Sequence, residues 1–232
     1  KLEKVNEHGE FKRGTISEAA EKYKVETYGK IVAVTRQVIV NDDMAAFTRL
    51  PLAAGIRARE LVADLVWGII LANANMADGN ALFSAAHGNV ATSAAAIKDG
   101  LSDMRARMKK QVGLDGSRIT VMPRYLLVGV ERETEAEQVV SGLIVPQTAA
   151  DVNQFARGLS IISEPRLGAV PYYLAAAVGA IDIIELAYLQ GQKGVYLETK
   201  MGFDVDGMEL KARLDVGAKA IDWRGIQRNA GT

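Results

Sequence analysis

Cysteine is absent from all 232 residues. Disulfide staples, thiolate nucleophiles and sulfur-ligated metal centres are therefore excluded together. Histidine is nearly as scarce: His8 and His87 are the only two, so imidazole-based acid–base chemistry has few places to form. An excess of either charge is missing as well. Lys plus Arg and Asp plus Glu number 28 each, for a formal net charge of zero. That balance argues against a dedicated nucleic-acid binder, which carries a basic stripe and a high pI. No apolar run reaches the roughly 20 residues of a membrane span; the longest, residues 174–184, contains Gly179 and Asp182. No signal peptide, internal repeat or low-complexity tract is legible. What remains is 49% hydrophobic and 24% charged, an ordinary folded composition. A chain of this length buries roughly 70% of the surface its unfolded form exposes.

The pattern is α+β, with strands and helices interspersed but no regular β-α-β rhythm. Residues 1–22 are charged and weakly periodic, an extended arm with a short helix near 17–22 capped by Ser17. Tyr23, Val25 and Thr27 alternate with charged residues, and Val32, Val34, Val38 and Val40 resume the alternation. This predicts a long hairpin over 23–40, bent near Gly29, and such a ribbon is marginal without a surface to lie on. Residues 56–75 predict a helix with Leu61, Leu65, Ile69 and Ala72 on one stripe, bounded by Pro51 and Gly79. A second helix is expected over 94–110, with Ser93 as its cap, Ile97, Leu101, Met104 and Met108 on one face, and Arg105, Arg107, Lys109 and Lys110 in its last turn, where they complement the helix dipole. Strand pieces at 119–122 and 125–128, a helix at 133–141 stopped by Gly142, and strands at 159–164 and 180–186 follow.

Residues 195–205 and 208–216 alternate and are joined by Asp206-Gly207, a strong signal for a hairpin with a type I′ turn. A two-residue turn sets Lys200 opposite Arg213 and Glu198 opposite Asp215. Like charges directly opposite are unfavourable, although the diagonals Lys200–Asp215 and Glu198–Arg213 attract. The hairpin is expected; its register stays open.

Catalytic constellations are few. Ser84-Ala85-Ala86-His87-Gly88-Asn89 is the one cluster that invites a nucleophile and base, Ser84 and His87, and it needs a folded hydrogen bond and an orienting acid. A loop using His87, Gly88 and Asn89 for turns and backbone bonds is the plainer reading. Asp42-Asp43 and Asp78-Gly79-Asn80 lack the oxygen-ligand spacing of a calcium loop and read as solvated turns. Gly113, Gly116 and Gly129 form no phosphate-binding fingerprint. The basic residues at 105–110 read as a solvated helix end rather than a DNA contact, given the neutral total. No cofactor is expected.

Five segments taken in order resemble the major capsid proteins of tailed phages and prophages, with the Hong Kong 97-like fold. They are Glu10-Phe11-Lys12-Arg13-Gly14-Thr15, Thr35-Arg36-Gln37-Val38-Ile39-Val40-Asn41-Asp42-Asp43, Leu82-Phe83-Ser84-Ala85-Ala86-His87-Gly88-Asn89, Leu186-Ala187-Tyr188-Leu189-Gln190-Gly191 and Gly217-Ala218-Lys219-Ala220-Ile221-Asp222-Trp223-Arg224-Gly225. Within that family the segments look like those of the Mu-like prophage head subunits and of the proteins with a prohead protease fused upstream of the capsid. The resemblance implies an N-terminal arm (1–22), an extended loop (23–43), a peripheral domain (44–120) with its spine helix at about 56–75, an axial domain (121–186), and a return to the peripheral domain (187–232). It implies a structural subunit, not an enzyme, that self-assembles into hexamers and pentamers of an icosahedral shell. The implied partners are other copies, a portal, a prohead protease or scaffold, and double-stranded DNA held non-specifically, with no membrane. The implied location is the virion, after assembly in the bacterial cytoplasm. A scaffolding or protease segment upstream of Lys1 is implied as cleaved or lying outside this chain. Some members cross-link a loop lysine, and Lys24 and Lys30 sit in that element, though a plain solvated lysine is the simpler reading. Arg36, Asp222 and Arg224 are candidates for interface or domain-locking ion pairs, with an intramolecular salt bridge as the equal alternative. An encapsulin-like compartment is the runner-up on the same fold. A serine hydrolase and a non-assembling DNA-binding module are the alternatives from other classes.

Overall fold

The computed structural model describes residues 20–41, 44–141, 158–202 and 207–232. In chain order the helices are α1 (Arg36–Asn41), α2 (Met44–Ala72), α3 (Ile97–Lys110) and α4 (Glu133–Ser141), with a 3-10 turn at Val130–Arg132 before the last. The strands are β1 (Glu26–Thr35), β2 (Pro123–Val128), β3 (Ser160–Ser163), β4 (Tyr172–Ala176), β5 (Ile184–Tyr188), β6 (Tyr196–Gly202), β7 (Gly207–Ala220) and β8 (Ile226–Asn229). They divide into two units. The first takes in residues 73–183 and 220–232, the second residues 22–72 and 184–219.

In the first unit a sheet in the order β3–β2–β4–β8 lies against α3. The stripe predicted for α3 is its buried face: Ile97, Leu101, Met104 and Met108 have no exposed surface. They pack with Val121, Leu126, Tyr172 and Leu174 in one apolar cluster, and each fully buried side chain of this size contributes roughly 1.5–3 kcal/mol. The expected Ser93 cap is not made. The helix begins at Ile97, whose N–H is accepted by Glu135 Oε1 of α4 at 2.7 Å. Ser93 instead donates to the Thr232 carbonyl and accepts the Thr232 N–H at 3.1 Å. Glu135 is held by buried Arg132, whose Nε and Nη2 donate to its Oε2 at 2.9 and 2.7 Å. Arg132 also donates to the carbonyls of Val170 and Ala95 and lies 4.9 Å over the Tyr172 ring. An anion is thus aimed at the positive end of α3, where the macrodipole favours it.

Helix α4 has the expected limits, and β2 begins at Pro123, so residues 119–122 are not a strand. The expected strand at 180–186 is displaced: β4 ends at Ala176 and β5 starts at Ile184. Strand β4 is buried throughout because both faces are covered. Tyr172 and Leu174 face α3, and Tyr173 meets Phe83 with ring centroids 5.4 Å apart. A strand covered on both sides shows no alternation, so it merged with the apolar residues after it.

In the second unit β7 carries β1 on one edge, and β5 and β6 pair with it too. The hairpin expected over 23–40 is not formed. Glu26–Thr35 is one continuous strand, antiparallel to β7 from Glu26↔Val216 to Thr35↔Gly207, and the chain then enters α1. Gly29 sits inside that strand, where an added Cβ would come within 3.1 Å of the Ala212 carbonyl. Close backbone approach, not a bend, accounts for the glycine. Residues 20–25 form no helix; 17–19, within the short helix expected there, lie outside the described residues. Helix α2 starts at Met44, twelve residues earlier than expected, and runs through Pro51, which removes one backbone donor within the first turns.

Strands β6 and β7 form the expected antiparallel pair, in a different register. Gly202 is opposite Gly207, so Gly207 does not sit in a two-residue turn; Asp206 lies outside the described residues. The shift puts Lys200 opposite Glu209, Glu198 opposite Lys211 and Tyr196 opposite Arg213. Lys211 Nζ stands 2.9 Å from Glu198 Oε2, and the Arg213 guanidinium 5.0 Å from the Tyr196 ring. Every like-charge pairing of the two-residue turn is thereby replaced by an attractive one. Asp215, buried, accepts the Thr27 hydroxyl at 2.5 Å and pairs with Arg213 Nε at 3.3 Å.

Candidate functional site

Of the segments singled out in the sequence, 82–89 and the 220–225 part of 217–225 meet in the first unit. His87 is buried, and its ring stacks on Trp223 with centroids 4.1 Å apart and planes 9° apart. Its Nδ1 faces the Leu82 carbonyl at 3.0 Å and its Nε2 faces Asp78 Oδ2 at 2.7 Å. Asp78 is fixed in turn by Asn80, whose backbone N–H and Nδ2 each donate to it at 3.0 Å. Hydrogen bonding from Asn80 first, and from His87 next, lowers the Asp78 pKa to about 2. The Asp78-Gly79-Asn80 segment is therefore a turn whose carboxylate is already engaged. Among the described residues no three His, Asp or Glu side chains gather to hold a metal. Asp42 and Asp43 lie outside the described residues.

The geometry does not turn the His87 ring toward Ser84. Its Oγ accepts the backbone N–H of His87 at 3.2 Å, while both imidazole nitrogens face other groups. Among the described residues no base is hydrogen-bonded to the hydroxyl, and nucleophilic activation requires one. Asn89, fully buried, completes the loop: Oδ1 accepts the Ser84 N–H at 3.1 Å and Nδ2 donates to the Leu82 carbonyl at 2.7 Å. These residues make turns and backbone bonds, the plainer of the two readings.

Asp222 and Arg224 are brought together. Asp222 accepts the Arg224 backbone N–H at 2.8 Å and its Nη1 at 3.1 Å, and the guanidinium lies 5.0 Å from the Trp223 ring. The Ile183 carbonyl accepts the Ile221 N–H at 2.9 Å, and the Gly225 carbonyl accepts the Ala176 N–H at 2.8 Å. The pair thus closes a turn that presents Trp223 to His87. Arg36 belongs to the second unit, where it opens α1 and is exposed. The Arg132–Glu135 pair was missed in the sequence, although its i, i+3 spacing is legible there. The Trp223–His87 stack left no local signal.

What this site offers is rigid attachment between distant parts of one unit. No helix among the described residues is long and apolar enough to cross a membrane. The combination of a sheet-and-helix unit with a long helix and a paired ribbon is the Hong Kong 97-like shell fold. A solved structure from Mycobacterium phage Patience superposes with a TM-score of 0.60 at 10% identity, over 100% of this chain and 79% of that one. Mycobacterium phage Che8 gives 0.53 at 14%, covering 94% and 77%. The holo-SrpI encapsulin complex from Synechococcus elongatus gives 0.56 at 14%, covering 90% and 74%. The phage capsid protein family model matches residues 18–229, and the chain belongs to that family. No curated protein matches the sequence.

Proposed function

We propose that the chain is the major head subunit of a phage or prophage, arranged in hexamers and pentamers around double-stranded DNA. The family match across residues 18–229 carries the reading. The second unit supports it, because Ile31, Leu52, Ile56 and Met201 are half or more exposed there. Apolar surface of that extent is costly on an isolated subunit and useful between copies. Function is then geometric. Many modest interfaces add through multivalency, and heterologous contacts close by rotation into rings. A portal, a prohead protease or scaffold, and assembly in the bacterial cytoplasm belong to the same reading.

Asp222 and Arg224 act within the subunit as the lock that holds Trp223 on His87, and Arg36 remains the candidate for a contact between copies. Lys24, 3.2 Å from Glu26, acts as a solvated lysine. A compartment that encloses protein cargo is the second reading, favoured by the likeness to the encapsulin complex. Negative-stain electron microscopy of the purified chain over a range of concentration and salt tests the proposal. Closed shells, or rings of five and six, are expected; single subunits under every condition contradict it. Nuclease-protected DNA inside particles recovered from a bacterial host separates a head from a cargo compartment.

A further inference from the structure

Helix α3 sets a charge axis through the first unit. Its C-terminal end carries Arg105, Arg107, Lys109 and Lys110, and exposed Arg118 follows in the next loop. Its N-terminal end meets Glu135 through the Ile97 bond, and exposed Glu131, Glu133 and Glu137 flank Glu135 along the chain. At 1.5 Å per residue, 14 residues place the two ends about 20 Å apart. Opposite charges are present at both ends but do not cancel the excess. Asp103 is bonded to Arg107 at 2.9 Å and Asp115 is taken up by Ser117; Arg132 is bonded to Glu135, and Lys98 also stands at the acidic end. Lys109, Lys110, Glu131 and Glu133 make no ion pair among the described residues.

Each end also holds apolar surface. Beside the C-terminus of α3 opens a cleft of about 560 Å³ lined by Arg107, Lys110, Val112, Leu114, Trp223 and Arg224. Val112 and Leu114 are 45% and 48% exposed there. At the other end Val130 and Val170 are 43% and 44% exposed, joined through Arg132, which donates to the Val170 carbonyl. An apolar centre ringed by charge is the anatomy of a protein interface. Here the two patches have opposite sign.

We infer that the occupant of the cleft is a second copy of this chain. The acidic end of one first unit (Val130, Glu131, Glu133) docks on the basic end of the next, at the cleft lined by Lys110 and Leu114, with exposed Lys109 next to Lys110 in the last turn of α3. The two patches differ, so the contact is heterologous and propagates head to tail, and it becomes a ring when the rotation closes. Complementary charge fixes the partner and the register and steers encounter. The inference rests on the shell-subunit reading and supplies a contact that builds its rings.

Charge-reversal exchange on the full chain tests it. Lys109→Glu with Lys110→Glu gives one variant, and Glu131→Lys with Glu133→Lys the other; all four positions are exposed, and a thermal melt checks that each variant folds. Each variant alone is expected to need at least tenfold more protein than the wild type to form rings in sedimentation velocity. In a one-to-one mixture every contact in an alternating ring is complementary, so rings of six return and rings of five do not. The chain carrying all four reversals regains both. Variants that assemble like the wild type overturn the inference, as does failure of both the mixture and the fourfold variant to recover. Wild-type protein that never associates removes the shell reading itself, a result distinct from the other two.

Discussion

The two units of this subunit bury their apolar residues very differently. In the first, α3 and the β3–β2–β4–β8 sheet close on a cluster in which Ile97, Leu101, Met104, Met108, Leu126, Tyr172 and Leu174 are fully covered. In the second, long elements leave theirs half open. Of the 29 residues of α2, Ile70 is the one large side chain that the chain itself buries among those described, and β6 is exposed along almost its whole length. The first unit has the core of a small autonomous domain. The second has the sheet and helix of a domain without enough opposing surface. A protein that functions among copies of itself can leave part of its core to be completed by neighbours, and the contrast shows which part.

Truncation at matched positions separates the units most sharply. Leu101→Ala in the closed core is expected to cost about 3–4 kcal/mol, read as a lower urea midpoint at unchanged slope. Leu52→Ala, at a side chain 67% exposed, is expected to cost under about 0.5 kcal/mol in the free subunit while weakening assembly. Equal losses at both sites would remove the contrast.

Next in size is the anchor between α3 and α4. Arg132→Leu leaves Glu135 without its cation and is expected to cost about 2 kcal/mol, less than a fully buried pair loses because Glu135 is partly solvated. The double variant Arg132→Leu, Glu135→Leu is expected to recover part of that loss in a thermal melt. A single variant as stable as the wild type would show that the ion pair does not hold the helices together.

The Asp78 carboxyl gives a smaller, pH-dependent effect. Its folded pKa lies near 2, below the unfolded value of about 4. The stabilisation is therefore full above pH 4 and is lost as pH falls toward 2. Asp78→Asn is expected to be less stable than the wild type at neutral pH, with the gap narrowing through that window. A gap of constant size would assign the effect to packing rather than charge.

The smallest effect sharpens the register of the ribbon. Glu198→Lys should weaken the β6–β7 pair slightly, since the partners are exposed, and Lys211→Glu in the same chain should restore it. Restoration by Arg213→Glu instead would favour the diagonal of a two-residue turn.

These same elements explain what was legible in the sequence. Helix α3 was legible because one face is buried and the other wet, and α4 because its polar–apolar switch and Gly142 mark its limits. Strand β4 was not, since burial on both faces erases alternation and its true boundary is a loop turning at Gly179, where φ is +80°. Gly29 misled because a glycine within a strand signals a bend and a close backbone approach equally well. The alternating ribbon was clear, and its like-charge pairs already opposed the two-residue turn; the charges carried the register more faithfully than the Asp-Gly signal. The capsid resemblance came from short segments, and the family match agrees with it. The His87–Trp223 stack joins residues 136 positions apart, and local periodicity carries no information at that separation.

Hydrogen exchange on the free subunit and on assembled particles tests the central contrast most directly. The account predicts slow amides in α3, β2 and β4 in both states, and protection gained on assembly in α2, β1 and β6. Equal protection of those three elements in the free subunit would contradict it, because the second unit would then be complete without neighbours.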